Sequence, residues 1–378
     1  MKALLLVGTY FPYGTAWSSR GRNFVELLKY CGYEVHVISY YSKPEDKKRY
    51  QSCTYDYLKE SSKGIDQLYI GKLCALKLKK YLKNHQVDIV VSTSCPDRFK
   101  LTKKILDEKN IPLFLEQCEW YDPSNFKFKK YDYLYQRYIK HFDNYFYKSS
   151  GIIAISTLLE KHFIKQNLNT IRIPTILDVK NIKYNTISSN EKCVLVYTGN
   201  PGRSKELLLP IIKVFANHLD IRNFFEFRIY GPTYEKVLLN IDNRSDLLEK
   251  TKDTVKIFGK VPQENIEKII RDADFQMFFR PKRLSSEAGF PTKLGESMAV
   301  GTPVISNGTG DIGMYLKNEK NGYLTNDFSE ETIEKVLRKI MKLDEFTYCN
   351  MRVEARNTAE LFFDYRKYME KILKLVSK

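Results

Sequence analysis

Two α/β domains, each built on a parallel sheet, are predicted by three features of this 378-residue sequence. Short apolar runs alternate with segments of helical apolar spacing from residue 2 onward, the pattern of strands buried on both faces and joined by crossover helices. A polar stretch without period, residues 179–192, separates two such patterns and reads as a linker. The length, with 43% hydrophobic residues, supplies two cores of ordinary size.

The first half opens with an apolar strand at 2–7, a turn-rich stretch from Gly8 to Thr15, and a helical pattern at 22–31 carried by Phe24, Val25, Leu27 and Leu28. Gly32 and Tyr33 stop that helix before a strand at 34–39, which makes a βαβ opening. The first turn lacks Gly-x-Gly-x-x-Gly, which argues against a nicotinamide-dependent dehydrogenase. Strands at 87–92, 112–116 and 151–156, with a helix near 100–108, complete the first sheet. After the linker, strands are predicted at 194–198, 227–230, 255–258, 275–279 and 304–306.

The net charge of +17 is uneven: residues 1–190 hold 31 Lys and Arg against 18 Asp and Glu, or +13. Such asymmetry suits an anionic partner. Tyr131, Leu134, Tyr135, Tyr138, Ile139, Phe142, Tyr145 and Phe146 trace one helical face bordered by Lys127, Lys129, Lys130, Arg137, Lys140 and Lys148, a composition found where a helix meets a membrane surface. No apolar run approaches the length that spans a bilayer, and residues 3–7 are too short for a signal-peptide core. The expectation is a cytoplasmic protein, peripheral on the inner face of the cell membrane. Seven scattered cysteines without a Cys-x-x-Cys pair argue for reduced thiols, and the isolated histidines imply no metal.

Residues 290–306 carry the densest chemistry. Pro291 suits a helix's first turn and Thr292 its polar entry, Gly301-Thr302-Pro303 ends the helix, and Val304-Ile305-Ser306 starts a buried strand. The free N–H groups and dipole of a helix start favour a diphosphate. Lys293 and Glu296, three residues apart, share a helical face, so the ammonium can pair with phosphate while the carboxylate accepts from two ribose hydroxyls. Gly199-Asn200-Pro201-Gly202-Arg203-Ser204-Lys205 follows the first strand of the second half, where ligands bind at the carboxyl edge of a parallel sheet.

Together with Val255-Lys256-Ile257-Phe258-Gly259-Lys260-Val261-Pro262, Ile269-Ile270-Arg271-Asp272-Ala273-Asp274 and Asn321-Gly322-Tyr323-Leu324, this half resembles family 4 and related retaining glycosyltransferases of the GT-B fold. The resemblance implies two Rossmann-like domains facing a cleft: an acceptor domain at 1–180, a nucleotide-sugar domain at 181–358, and a terminal helix at 359–378 packing back on the first. It implies donor contacts at Gly14, Gly199, Glu287, Thr292, Lys293, Leu294 and Glu296, with Arg203 and Lys205 gripping the departing diphosphate. The family's acidic pair is usually separated by seven residues; here Glu287 and Glu296 are separated by eight, and position 288 is Ala288. Where many relatives place a histidine near the reacting sugar, this chain has Glu116-Gln117-Cys118-Glu119-Trp120, so Glu119 or Glu116, with the flat ring of Trp120, is expected to meet sugar.

The expected reaction is a retaining, metal-independent transfer from a nucleoside-diphosphate sugar, with no cofactor, to a glycan or lipid-linked acceptor. Asp272-Ala273-Asp274 is read as structural. Two other classes are compatible with the sequence: a non-catalytic nucleotide-sugar-binding or scaffold subunit of the same fold, and a basic nucleic-acid binder. The last has only charge behind it, with no recognition motif, so no nucleic-acid partner is expected.

Overall fold

The structure, a computed structural model, describes residues 1–63, 65–66, 69–93, 99–187, 190–202 and 205–377. It divides into two compact units, one of Met1–Asp178 with Tyr365–Lys378 and the other of Val179–Asp364.

The first unit carries β1 (Lys2–Tyr10), β2 (Glu34–Tyr41), β3 (Thr54–Lys59), β4 (Ile89–Ser92), β5 (Leu113–Gln117), β6 (Gly151–Ala154) and β7 (Thr170–Arg172) in the order β3-β2-β1-β4-β5-β6-β7. All neighbours are parallel, with Ala3–Leu6 of β1 in register against Ile89–Ser92 of β4. The second unit orders β8 (Cys193–Thr198), β9 (Phe225–Tyr230), β10 (Val255–Gly259), β11 (Phe275–Met277), β12 (Val304–Asn307) and β13 (Gly322–Thr325) as β10-β9-β8-β11-β12-β13, again all parallel. In each sheet the strand order reverses beside the first strand, between β1 and β4 and between β8 and β11. Such a switch point opens a crevice at the carboxyl ends of the strands, where ligands of these folds bind.

The apolar spacing of the first helix buries Phe24, Val25, Leu27 and Leu28 on β1 and β2. Strands β3, β7 and β13 were not predicted from the sequence; each is an edge strand, and an edge strand needs less of the apolar run that signals a central one.

The expected single terminal helix from residue 359 is corrected. A helix at Glu345–Phe362 ends inside the second unit, and a separate 3₁₀ turn at Tyr365–Tyr368 leads into a helix at Met369–Val376 whose Ile372 and Leu375 lie in the first unit's core. Leu375 comes so close to β6 that a Cβ on Gly151 would stand 2.8 Å from its Cδ1. The continuous helix expected over 131–146 is also broken, into 3₁₀ turns at Lys129–Tyr131 and Phe146–Lys148 around a helix at Tyr133–Asn144.

The linker is less free than its polarity suggests. Arg356 donates to the carbonyls of Val179 (2.8 Å), Ile182 (3.0 Å) and Ala299 (2.6 Å), and Arg352, fully buried, donates to those of Asn185, Ala273 and Arg271. Two arginines one helical turn apart therefore fasten residues 179–185 to the second unit.

Candidate functional site

The helix Thr292–Ala299 starts after Pro291, which has extended backbone and offers no side-chain cap to the helix's first N–H groups. Thr292 is the first helical residue and not the cap, because Pro291 takes the half-in position. Only Thr292 and Glu296 of this helix retain partial exposure. They lie four residues apart and so share a face.

Lys293 points the other way. Its ammonium forms a buried ion pair with Oε2 of Glu206, 4.1 Å from the Tyr197 ring centroid and 5.3 Å from that of Phe278. The Tyr197 hydroxyl donates to the same Glu206 oxygen. Gly199, at φ +123°, leaves room for this arrangement: a Cβ there would lie 3.3 Å from the Lys293 Nζ. Its own carbonyl is pressed against the next loop, 2.2 Å from where a Gly231 Cβ would be.

Lys205 is exposed on the same loop, and Arg280, 2% exposed, follows β11. Lys293 and Arg280 thus act on the Glu206 carboxylate, and Lys205 and Arg280 on the Lys293 ammonium. Burial alone would raise the Glu206 carboxyl, but Lys293 and Arg280 outweigh it and hold it below the ordinary value. Burial pulls the Lys293 ammonium down; Glu206 opposes that only in part, while Lys205 and Arg280 add to it. The cluster carries excess positive charge at the switch point between β8 and β11, which suits a polyanion.

Of the predicted residues, Gly199, Lys205 and Lys293 converge here. Arg203 lies outside the described residues. Leu294 is fully buried and its N–H is given to Pro291 (3.0 Å), so its side chain belongs to the core. The Glu287 carboxylate accepts from the Gly310 N–H at 3.1 Å, tying its short helix to the loop after β12. Asp274 accepts from the Val194 N–H (2.7 Å), Asn190 (3.0 Å) and the Tyr348 hydroxyl (2.8 Å), a set of contacts that joins β8 to the helix at Glu345–Phe362. Among the described residues, no group of three or more His, Cys, Asp or Glu could hold a metal ion.

Gly14 and Glu119 belong to the first unit. Gly14 sits at φ +123° in the turn before Thr15, which caps the first helix together with Ser18. Two arginines of that helix make internal contacts, Arg22 with the Pro12 carbonyl. Arg20, buried, pairs with Glu116 and donates to the carbonyls of Pro174 (2.6 Å) and Ile173 (3.0 Å). A cavity of about 500 Å³ lies at the carboxyl end of this sheet, lined among others by Trp17, Tyr40, Glu116, Glu119 and Tyr138. The Trp120 ring, expected to meet a pyranose, lies against Phe142 (5.0 Å) and His162 (4.3 Å), and Trp17 is the tryptophan that faces the cavity.

Sequence reasoning missed Glu206, Tyr197, Arg280 and Trp17. The adjacency of Glu206 to Lys205 was visible, but a loop carboxylate reads as solvated until a second segment supplies its cation.

Residues 180–360 match the family described as glycosyl transferases group 1. The amylovoran biosynthesis glycosyltransferase AmsK of Erwinia amylovora is 30% identical over 91 residues, which are 23% of this chain and 22% of that protein. Among solved structures, the Anabaena protein HepE in complex with UDP-glucose aligns over all of both chains at 15% identity with a TM-score of 0.72. The sucrose-phosphate synthase of Thermosynechococcus elongatus aligns over all of this chain and 98% of its own at 13% identity, also with a TM-score of 0.72. The two parallel sheets and these likenesses place the chain in the GT-B fold.

Proposed function

We propose, starting from a GT-B chain whose residues 180–360 match group 1 glycosyltransferases, that this protein moves a sugar from a nucleoside-diphosphate sugar to an acceptor hydroxyl with retention of configuration. The observation that carries the reading is the cation cluster of Lys293, Lys205 and Arg280 beside a helix start to which Pro291 offers no side-chain cap, at a sheet switch point. That cluster neutralises the charge that grows on the diphosphate as the sugar departs, which is the work a metal ion does elsewhere. Glu296, one turn along the helix from Thr292, accepts the ribose hydroxyls. The leaving phosphate takes the acceptor proton on the same face, and exclusion of water limits hydrolysis of the donor. The acceptor occupies the first unit's cavity, where Glu119 and Tyr138 offer polar partners and Trp17 an apolar face.

The setting is polysaccharide or lipid-linked glycan assembly, supported by the stretch similar to an amylovoran biosynthesis enzyme. A thermal-shift panel of nucleotide sugars, followed by transfer and donor-hydrolysis assays with and without a chelator, tests the reading. A ligand at a hundred times its dissociation constant stabilises by about 2.7 kcal/mol, well within range of detection. No stabilisation by any nucleotide sugar refutes the donor site; binding without turnover favours a non-catalytic subunit; loss of turnover with chelator refutes metal independence.

A membrane-surface role has its own support. Phe128, Tyr131 and Tyr133 are 63%, 80% and 74% exposed, and Lys127 and Lys130 lie over the Phe128 and Tyr131 rings at 5.3 Å and 5.1 Å. Exposed aromatic rings with lysine neighbours suit the headgroup region of an anionic bilayer, with the protein on its cytoplasmic face. Among the described residues, no helix is long and apolar enough to cross a membrane.

A further inference from the structure

We propose that Glu206 is the positioning residue of the diphosphate cradle: its carboxylate aims the Lys293 ammonium along Gly199 and keeps it charged in an aromatic-walled site. The inference rests on the donor reading above and assigns the residue on which that reading depends.

A lysine between two aromatic rings and beneath a glycine loop has lost most of its water, and a desolvated ammonium sheds its proton easily. Lys205 on the loop after β8 and Arg280 after β11 push the same way, since each is a like charge facing the ammonium. Glu296, on the lysine's own helix, is partly exposed, as is Thr292, whereas Lys293 is buried. Glu206 is the carboxylate that pairs with Lys293, and the protein holds it firmly. Its side chain takes the Tyr197 hydroxyl. Its backbone carbonyl accepts from Asn240 Nδ2 at 2.9 Å, the same amide reaches the Gly202 carbonyl at 3.2 Å, and Asn240 Oδ1 accepts from the Leu208 N–H at 3.0 Å. One asparagine thereby fastens the loop on both sides of Glu206.

The consequence is an internal counter-ion that occupies one of the three ammonium protons and leaves the others for phosphate. A glutamine in its place preserves shape and one hydrogen bond but removes the charge. Lys293 then ionises less readily, and its grip on phosphate fails as pH rises. At mildly acidic pH the lysine stays protonated with either residue.

The experiment is calorimetric titration of the full chain with inorganic pyrophosphate and with UDP, near pH 6.5 and near pH 9.5. Comparison with the parent at each pH cancels the ligands' own titration. Glu206→Gln is expected to bind within about threefold of the parent at the lower pH and to be weaker by about tenfold or more at the higher one. Tyr197→Phe, which keeps the ring and releases one restraint on Glu206, shifts the same way by about threefold and decides the matter should the glutamine variant not fold. Placing Lys293→Arg beneath Glu206→Gln restores alkaline binding, because a guanidinium stays charged throughout. A ratio of variant to parent that is the same at both pH values, or tighter binding by Glu206→Gln at both, overturns the proposal. Lys293→Met separates the two levels of the argument: undiminished pyrophosphate binding by that variant means the cradle itself is elsewhere.

Discussion

Replacing Gly199 with alanine probes the point where backbone and ammonium meet. The residue holds φ at +123°, far from the left-handed well near +57° that other residues visit, and such a conformation costs about 1–3 kcal/mol for alanine. The new methyl also lies 3.3 Å from the Lys293 Nζ, a smaller matter because the tip of a lysine can give way. Relief by rotating the backbone is blocked. The Gly199 N–H is bonded to the Tyr230 carbonyl at 2.9 Å, and its own carbonyl is pressed against Gly231. For a unit of this size each kcal/mol lowers the melting temperature by roughly 2–4 °C, so the variant should melt roughly 2–12 °C lower. Displacement of Lys293 should also weaken UDP binding by about tenfold, since an ammonium–phosphate contact contributes on the order of 1.5–3 kcal/mol. Gly202→Ala is the control: φ is +59° and the nearest atom is 3.5 Å away, so a loss of only about 1 kcal/mol is expected. Scanning calorimetry and titration with UDP read both quantities. A Gly199→Ala protein that melts and binds like the parent, or no worse than Gly202→Ala, refutes the argument.

Glu296→Ala should fold normally and lose about 1.5–3 kcal/mol of donor affinity by calorimetry, with unchanged affinity for pyrophosphate, which has no ribose. His36, stacked 4.3 Å from the Tyr81 ring and bonded to Thr54 at 2.9 Å, is lowered by burial to about 4. The unfolded chain takes up this proton near pH 6.5 and the folded one only near 4, so stability is full above 6.5 and falls as the pH drops between the two values, by about 3 kcal/mol. His36→Phe should flatten that part of the stability profile relative to the parent in denaturant titrations, and an identical slope would refute the assignment. The protein should sediment with anionic vesicles at low salt and be released as screening rises, whereas Lys129→Glu, Lys130→Glu and Lys140→Glu together should reduce that binding while sparing donor affinity. Indifference to anionic vesicles at low ionic strength would favour a soluble acceptor.

The alternation of apolar runs with helical spacing was enough to read two parallel α/β sheets, because a strand buried on both faces must be apolar along its whole length. The stretch from Phe290 to Ser306 likewise carried its helix start, its stop at Gly301 and the strand that follows, since Pro and Gly act through local backbone geometry. The edge strands β3, β7 and β13 left too weak an apolar signal. So did the break at 363–364, where continuous helical spacing conceals a chain that leaves one unit for the other. At the site, adjacency in sequence suggested that Lys293 and Glu296 work on one face. Tertiary structure decided otherwise, because an ammonium removed from water turns to the buried carboxylate that three other segments hold in place. Glu206 is 87 residues from Lys293, Arg280 arrives from the stretch after β11, and Asn240 from a third element. Periodicity reports what a residue does for its own element; which charges meet depends on where the elements end, and that is settled only when the sheet is assembled.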